Sequence, residues 1–208
     1  MSKLDTVSKA IHQMQESILH LSDQHAENTW VQEGKMKVAE ILRGEKNTDL
    51  LANEIITFFF DYFSCQMGTF YTINSDSQLG LTFSMGNQQP APDILNRDSS
   101  LVGQAIQRKK PIVINSVSTE FFKVSTTLGA STSVSVFVIP LYYNQKLVGL
   151  MELAKLNPYT PIEVKFIEEA AESIGIFLNT ILGKIELEKL NGNDLQKIRI
   201  IHYKCSAK

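Results

Sequence analysis

Two cysteines, four histidines and one carboxylate inside an apolar run are the residues of this chain best placed to do chemistry. A redox or nucleophilic role for Cys65 and Cys205 would need a thiolate and a resolving partner grouped around a substrate. Cys65 falls where a strand should begin and Cys205 lies in the C-terminal tail. That placement favours a buried structural thiol at Cys65. His12, His20, His25 and His202 do not stand with the cysteines at zinc-ligand spacings. None of the first three is followed by the acidic residue of a phospho-acceptor site. No Gly-rich phosphate loop, nucleophile elbow or HExxH occurs. Asp61, near Cys65, reads as helix-end chemistry. Glu152 shares a strand face with Val148 and Leu150. A buried carboxylate needs a partner, and an amine-bearing ligand could supply one. The simpler reading sets Glu152 near a strand end, against water or a lysine. No catalytic residue, cofactor or metal is expected, and the chain reads as a non-enzyme.

Composition narrows the partners. The 208 residues are 43% hydrophobic and 20% charged, with a formal charge of -2. This is an ordinary globular balance, with no electrostatic case for nucleic acid. No run has the ~18 apolar residues of a membrane span, and the N-terminus lacks a signal-peptide core. With so few cysteines, a reducing compartment is the default, so a cytoplasmic location without direct membrane insertion is expected.

Three parts organise the chain. Residues 1–44 read as one helix. Leu4, Val7, Ile11, Met14, Ile18 and Leu21 alternate spacings of three and four, the seam of a coiled coil. Residues 45–190 carry a helix at Thr48–Phe63, strands at Gln66–Ile73 and Gln78–Ser84, and a short helix at Ser99–Arg108. A strand at Pro111–Asn115 and a polar loop at Ser116–Thr132 come next. Two long strands then flank Asn144-Gln145, and a long helix opens after Pro161. Hairpins with flanking helices indicate an α+β sheet. Residues 191–208 read as a disordered basic tail, because Asn191-Gly192-Asn193 should stop the helix. In the long strands Val134, Val136 and Val138 oppose Ser135, Phe137 and Ile139, while Leu147, Gly149, Met151 and Leu153 oppose Val148, Leu150, Glu152 and Ala154. One sheet face should pack on helices; the other, covered by the loop and short helix, suits a ligand. The expected lining is Phe70, Phe83, Phe121, Phe122, Leu128, Ser135 and Phe137, with Glu152 as a further candidate.

Several stretches together carry a family resemblance: LRGEKNTDLLANEIITFFFDYFSCQMGTFYTIN, SLVGQAIQRKKPIVINSV, EFFKVSTTLGAS and LVGLMELAKLNPYTPIEVKFIEEAAESIGIFLNT. From about Trp30 to Leu190 the chain resembles the GAF domains of bacterial sensor histidine kinases that carry a HAMP linker upstream. LDTVSKAIHQMQESI also resembles the second HAMP helix. The resemblance implies a central antiparallel sheet of about six strands, long helices on one face and a pocket on the other. It implies a sensor module of a two-component system, truncated or stand-alone. A homodimer, a small-molecule ligand and a signalling protein partner are expected. The dimer would rest on the N-terminal seam, with Ile167, Ala170, Ile174, Phe177 and Ile181 alongside. Cyclic-nucleotide-binding relatives carry an Asn-Lys, Phe, Asp-Glu signature. Lys155 is kept here, but Ala154 replaces the Asn and Glu163-Val164 replaces the acidic pair. A covalent bilin would need a pocket cysteine, which is missing. A ligand-free dimerisation scaffold is the alternative, and a thiol-based methionine-sulfoxide reductase stands further off.

Overall fold

The computed structural model describes residues 3–44, 46–87, 90–97, 100–118, 125–126, 129–130 and 133–206, and the side chains of 8–9, 11–44, 46–87, 90–97, 101–117 and 134–190. The chain divides into two compact units, Met1–Glu40 and Ile41–Lys208.

The first unit is helix α1, Lys3–Ile41, which contributes its last residue to the second. Its seam residues Ile11, Met14, Ile18 and Leu21 are all more than half exposed in the single chain, at 53, 66, 55 and 63%. The side chains of Leu4 and Val7 lie outside the described residues.

The second unit opens with α2, Thr48–Tyr62. Asn47 caps it: the side-chain oxygen accepts the otherwise unpaired N–H of Leu50 at 2.8 Å. Leu51, Ala52, Ile55, Ile56 and Phe59 recur at helical spacing and are fully buried. The chain turns through Ser64, at φ +52°, into β1, Met67–Ile73. After β1 come β2, Leu79–Met85; β3, Ile94–Leu95; α3, Ser100–Arg108; and β4, Ile112–Ser118. A two-residue pair, β5 at Ser125–Thr126 and β6 at Gly129–Ala130, stands in the segment expected to be a polar loop. The long strands β7, Ser133–Tyr143, and β8, Lys146–Lys155, lead to α4, Pro161–Ser206.

Six strands form one sheet in the order β3-β2-β1-β8-β7-β4, with every pairing antiparallel. The expected α+β architecture is the one observed. Local chemistry makes its hairpins. Between β1 and β2 the Asn74 side chain accepts from the N–H groups of Asp76 and Gln78, at 3.0 and 2.9 Å. Between β7 and β8, Asn144 and Gln145 both take positive φ, +45° and +69°, as a two-residue hairpin turn requires.

The two faces of the sheet differ. A Cβ at Gly149 would stand 2.8 Å from a Leu178 methyl, so this residue faces α4. Register extends that face through Met151, Leu153 and Lys155 of β8 to Ile139, Phe137 and Ser135 of β7, and to Phe70 of β1. Ile167, Ile174 and Leu178 of α4 are fully buried, as Ala170 and Ile181 nearly are. Four residues of the stripe expected alongside the dimer seam, Ile167, Ala170, Ile174 and Ile181, are therefore buried within the single chain, while Phe177 is partly exposed. At Gly175 the helix approaches so closely that a Cβ would lie 2.4 Å from the Tyr142 carbonyl oxygen. The opposite face carries Val134, Val136, Val138, Leu150 and Ala154, packed with Tyr71 and Leu79 against Val102 and Ala105 of α3.

Two expectations are corrected. Strict alternation places Leu147 on the face of Gly149, but the β7–β8 register shifts between Leu141 and Tyr142. That bulge turns Leu147 into the α3-side cluster. The helix expected to stop at Asn191–Asn193 continues to Ser206, so the C-terminal segment is not an unstructured tail over 191–206. One interior glycine costs a helix only about 1 kcal/mol, and good helix formers flank it at Glu188, Lys189, Leu190, Leu195 and Gln196.

Candidate functional site

The residues proposed from sequence as one pocket lining are distributed over both faces. Phe70, Ser135 and Phe137 lie on the helix face, fully or almost fully buried, and Phe83 pairs with Phe70 there. The correction has a simple origin. Alternation tells which residues share a face but not what covers that face, and the Phe/Ser set lies under helices, not under the loop. Phe121, Phe122 and Leu128 lie outside the described residues. Glu152 alone of the described set stands on the α3 face, between Thr69 of β1 and Val138 of β7.

Glu152 is half-buried near the middle of the sheet, not at a strand end against a lysine. Its partner is Thr69, which is 6% exposed and donates its hydroxyl to the carboxylate at 3.3 Å. Burial pushes the Glu152 carboxyl above its ordinary value, and the Thr69 hydroxyl opposes that rise. Two residues along β1, Tyr71 faces the same way. Its phenol is pushed up to about 12, first by burial and then by the negative charges of Glu152 and Asp93. A hydroxyl, a phenol and a carboxylate thus project from adjacent strands among valines and leucines. The arrangement can accept a hydrogen bond or a positive charge from a small polar group. Thr69 and Tyr71 were missed by sequence reasoning. The signal that could have found them was pairing: whatever stands across from Glu152 must answer its carboxylate.

The helix face carries a second polar cluster, built where β8 meets α4. Lys155 is 5% exposed and its ammonium lies 2.6 Å from Glu163. The other Glu163 oxygen accepts from the N–H and hydroxyl of Thr160, at 2.7 and 3.0 Å, closing the first turn of α4 as a capping box. The Lys155 ammonium also sits 4.6 Å from the centre of the Tyr159 ring, whose hydroxyl is 3.8 Å from the Cys65 sulfur. Burial lifts the Cys65 thiol to about 11. It is a protonated, buried group, the opposite of an activated nucleophile. Ser135, opposite Lys155 in the ladder, has a buried hydroxyl without a hydrogen-bond partner among the described residues. The Cys205 side chain lies outside the described residues. Among the described residues no group of three or more His, Cys, Asp or Glu gathers as metal ligands, and no helix is long and apolar enough to cross a membrane.

Known structures share this architecture. The chain superposes on the GAF domain of an Acinetobacter phosphoenolpyruvate-protein phosphotransferase with a TM-score of 0.59 and 14% identity, covering 75% of this chain and 96% of that one. The corresponding domain from Coxiella burnetii gives a TM-score of 0.57 and 16% identity, with 76% and 95% covered. The free methionine-R-sulfoxide reductase of Neisseria meningitidis, solved with its substrate, gives 0.54 and 14%, with 71% and 87% covered. At such identities the likeness is one of fold, and it joins regulatory domains to enzymes. No curated protein matches the chain in sequence. The family model of the GAF domain does match, over residues 47–179, which holds α2, the whole six-stranded sheet and most of the packed part of α4. With sequence model and sheet architecture in agreement, the chain belongs to the GAF domain family.

Proposed function

We propose that this chain is a non-catalytic signal-transduction sensor, working in the cytoplasm as a homodimer. A small molecule is bound on the α3 face beside Glu152 and Thr69, and α1 and α4 carry the resulting change to a signalling protein. GAF domains are in general small-molecule or regulatory sensing modules. The observation that carries the ligand reading is the Thr69–Glu152 pair, a carboxylate held among apolar side chains with a single hydroxyl donor among the described residues. The open seam of Ile11, Met14, Ile18 and Leu21 supports the dimer, since ~60% exposure of a regular apolar stripe is relieved by a second helix. The sequence likeness to HAMP-linked sensor kinases supports the two-component setting. Signalling then requires that the ligand bind one arrangement of the helices better than the other.

A ligand-free dimerisation scaffold is the second reading. It is favoured by the complete burial of Val134, Val136, Val138 and Leu150, which fill much of the α3 face with the chain's own side chains. A methionine-sulfoxide reductase, the activity named for the Neisseria relative, is disfavoured by the buried, protonated Cys65.

Native mass spectrometry of the purified chain, beside a thermal-shift screen of metabolites, separates these. The sensor reading expects a dimer mass and a compound that raises the melting temperature in the parent but not in Glu152→Gln. A monomer at roughly tens of micromolar overturns the dimer, and a screen without such a compound leaves the scaffold reading standing in its place. Reduction of free methionine sulfoxide that disappears in Cys65→Ser would overturn both.

A further inference from the structure

One hydrogen bond joins the last long edge strand to the start of the output helix. Strand β4 lies at the edge of the sheet and is bulged between Ile114 and Val117. Within the bulge Ser116 takes φ +64°, a left-handed conformation that a non-glycine residue holds only under local constraint. Beside it the Asn115 side-chain oxygen accepts the N–H of Tyr159 at 3.1 Å. Tyr159 is two residues before Pro161, the first residue of α4.

Tyr159 has little freedom of its own. It is 5% exposed, its ring meets that of Phe137 edge-on at 5.2 Å, and its hydroxyl is directed at Cys65. Lys155 lies over the ring and is locked to Glu163, which in turn closes the first turn of α4. A shift of the β4 bulge therefore cannot be absorbed at Tyr159. It is passed to Lys155, Glu163 and the N-terminal turn of the helix.

The geometry points to the Asn115–Tyr159 bond as a coupling joint: the conformation of the β4 bulge sets the order of the first turn of α4. Asn115 and Tyr159 are positioning residues in this device, and neither needs to touch a ligand. The joint is internal to the domain, so it stands whether or not the α3 face binds a small molecule.

Hydrogen exchange of the full chain tests it without any ligand. The amides of Glu163–Phe166 are followed in the parent, in Ser116→Gly, in Asn115→Ala and in the double variant. Ser116→Gly takes the left-handed conformation without strain, so it should settle the bulge and slow exchange of those α4 amides by about fivefold. Asn115→Ala should speed them by a similar factor, and Ser116→Gly should then change nothing, so the double variant equals Asn115→Ala alone. Asn115→Asp keeps an acceptor oxygen and should restore the parent rates. The proposal is overturned if the two substitutions multiply independently. It is equally overturned if Asn115→Ala exposes only the Tyr159 amide and leaves Glu163–Phe166 protected. Should either glycine or alanine variant lose its cooperative melt, the comparison of Asn115→Asp with the parent decides, with unequal α4 rates counting against the joint.

Discussion

The two faces of one sheet are built for different purposes. On the α4 side, Phe70, Phe137, Ile139, Met151 and Leu153 are at most 1% exposed, and at Gly68 and Gly149 the strands leave no room for a Cβ beside Ile56 of α2 and Leu178 of α4. Two of the polar groups there are engaged internally, Lys155 by Glu163 and Cys65 by Tyr159, while the buried Ser135 hydroxyl has no partner among the described residues. On the α3 side a nine-residue helix covers a row of valines, and among the described residues Glu152 finds the Thr69 hydroxyl alone. The contrast teaches that polarity alone does not locate a binding face. Lys155 and Glu163 form an ion pair that holds the fold together, whereas among the described residues the Glu152 carboxylate is answered by a hydroxyl and keeps bonding capacity.

If that contrast is right, truncation on the α4 side should hurt stability most. Phe137→Ala should cost about 3–5 kcal/mol in chemical denaturation, the range for a fully buried phenylalanine. A loss below about 1 kcal/mol would mean that this face is far looser than its burial indicates. Glu163→Gln should come next, at about 3 kcal/mol, because it leaves the Lys155 ammonium buried without its counter-charge. Urea midpoints of Glu163→Gln and of Lys155→Met with Glu163→Gln together would sharpen the point. The double variant should recover part of the loss if the buried charge is its cause.

The α3 side should respond weakly, and with a different sign. Thr69→Val removes the one donor to Glu152 among the described residues and should cost about 1 kcal/mol near neutral pH. Glu152→Gln should cost less than this or stabilise the chain, and its signature is pH dependence. The folded carboxyl titrates above the unfolded value of 4.5, so the folded state holds the proton longer. The resulting stabilisation is fully present below pH 4.5 and is lost as pH rises through the folded value. Urea midpoints of the parent should therefore fall over that window more than those of Glu152→Gln. Equal slopes would show Glu152 to be well solvated and would remove the physical distinction between the faces.

How far the sequence could be read follows from what each signal encodes. The strands, α2 and the start of α4 are legible because turn residues mark their ends: Asn144-Gln145 and Pro161 perform the expected local task, and Asn47 and Asn74 act in the same way at the start of α2 and between β1 and β2. The alternation of Val134, Val136 and Val138 against Ser135, Phe137 and Ile139 was equally legible, since a strand turns its side chains over at every residue. The cover over each alternating set was not. It depends on α2 and α4 returning from distant sequence to the Phe137 side, and on α3 settling against the valines.

By itself, then, the sequence determined the order of elements, the hairpins, the exposed seam of α1 and the polarity of each strand, all of which rest on interactions within a few residues. Only the tertiary structure decided that Phe70 and Phe137 belong to the core, that Ile174 and Ile181 are consumed inside the chain, and that Thr69 answers Glu152. The same holds for Leu147, turned to the other face by a bulge that no periodicity announces. The reason is physical: a face acquires its role from the groups that cover it, and those groups are brought there by burial of apolar area across the whole domain, not by the local pattern that made the face.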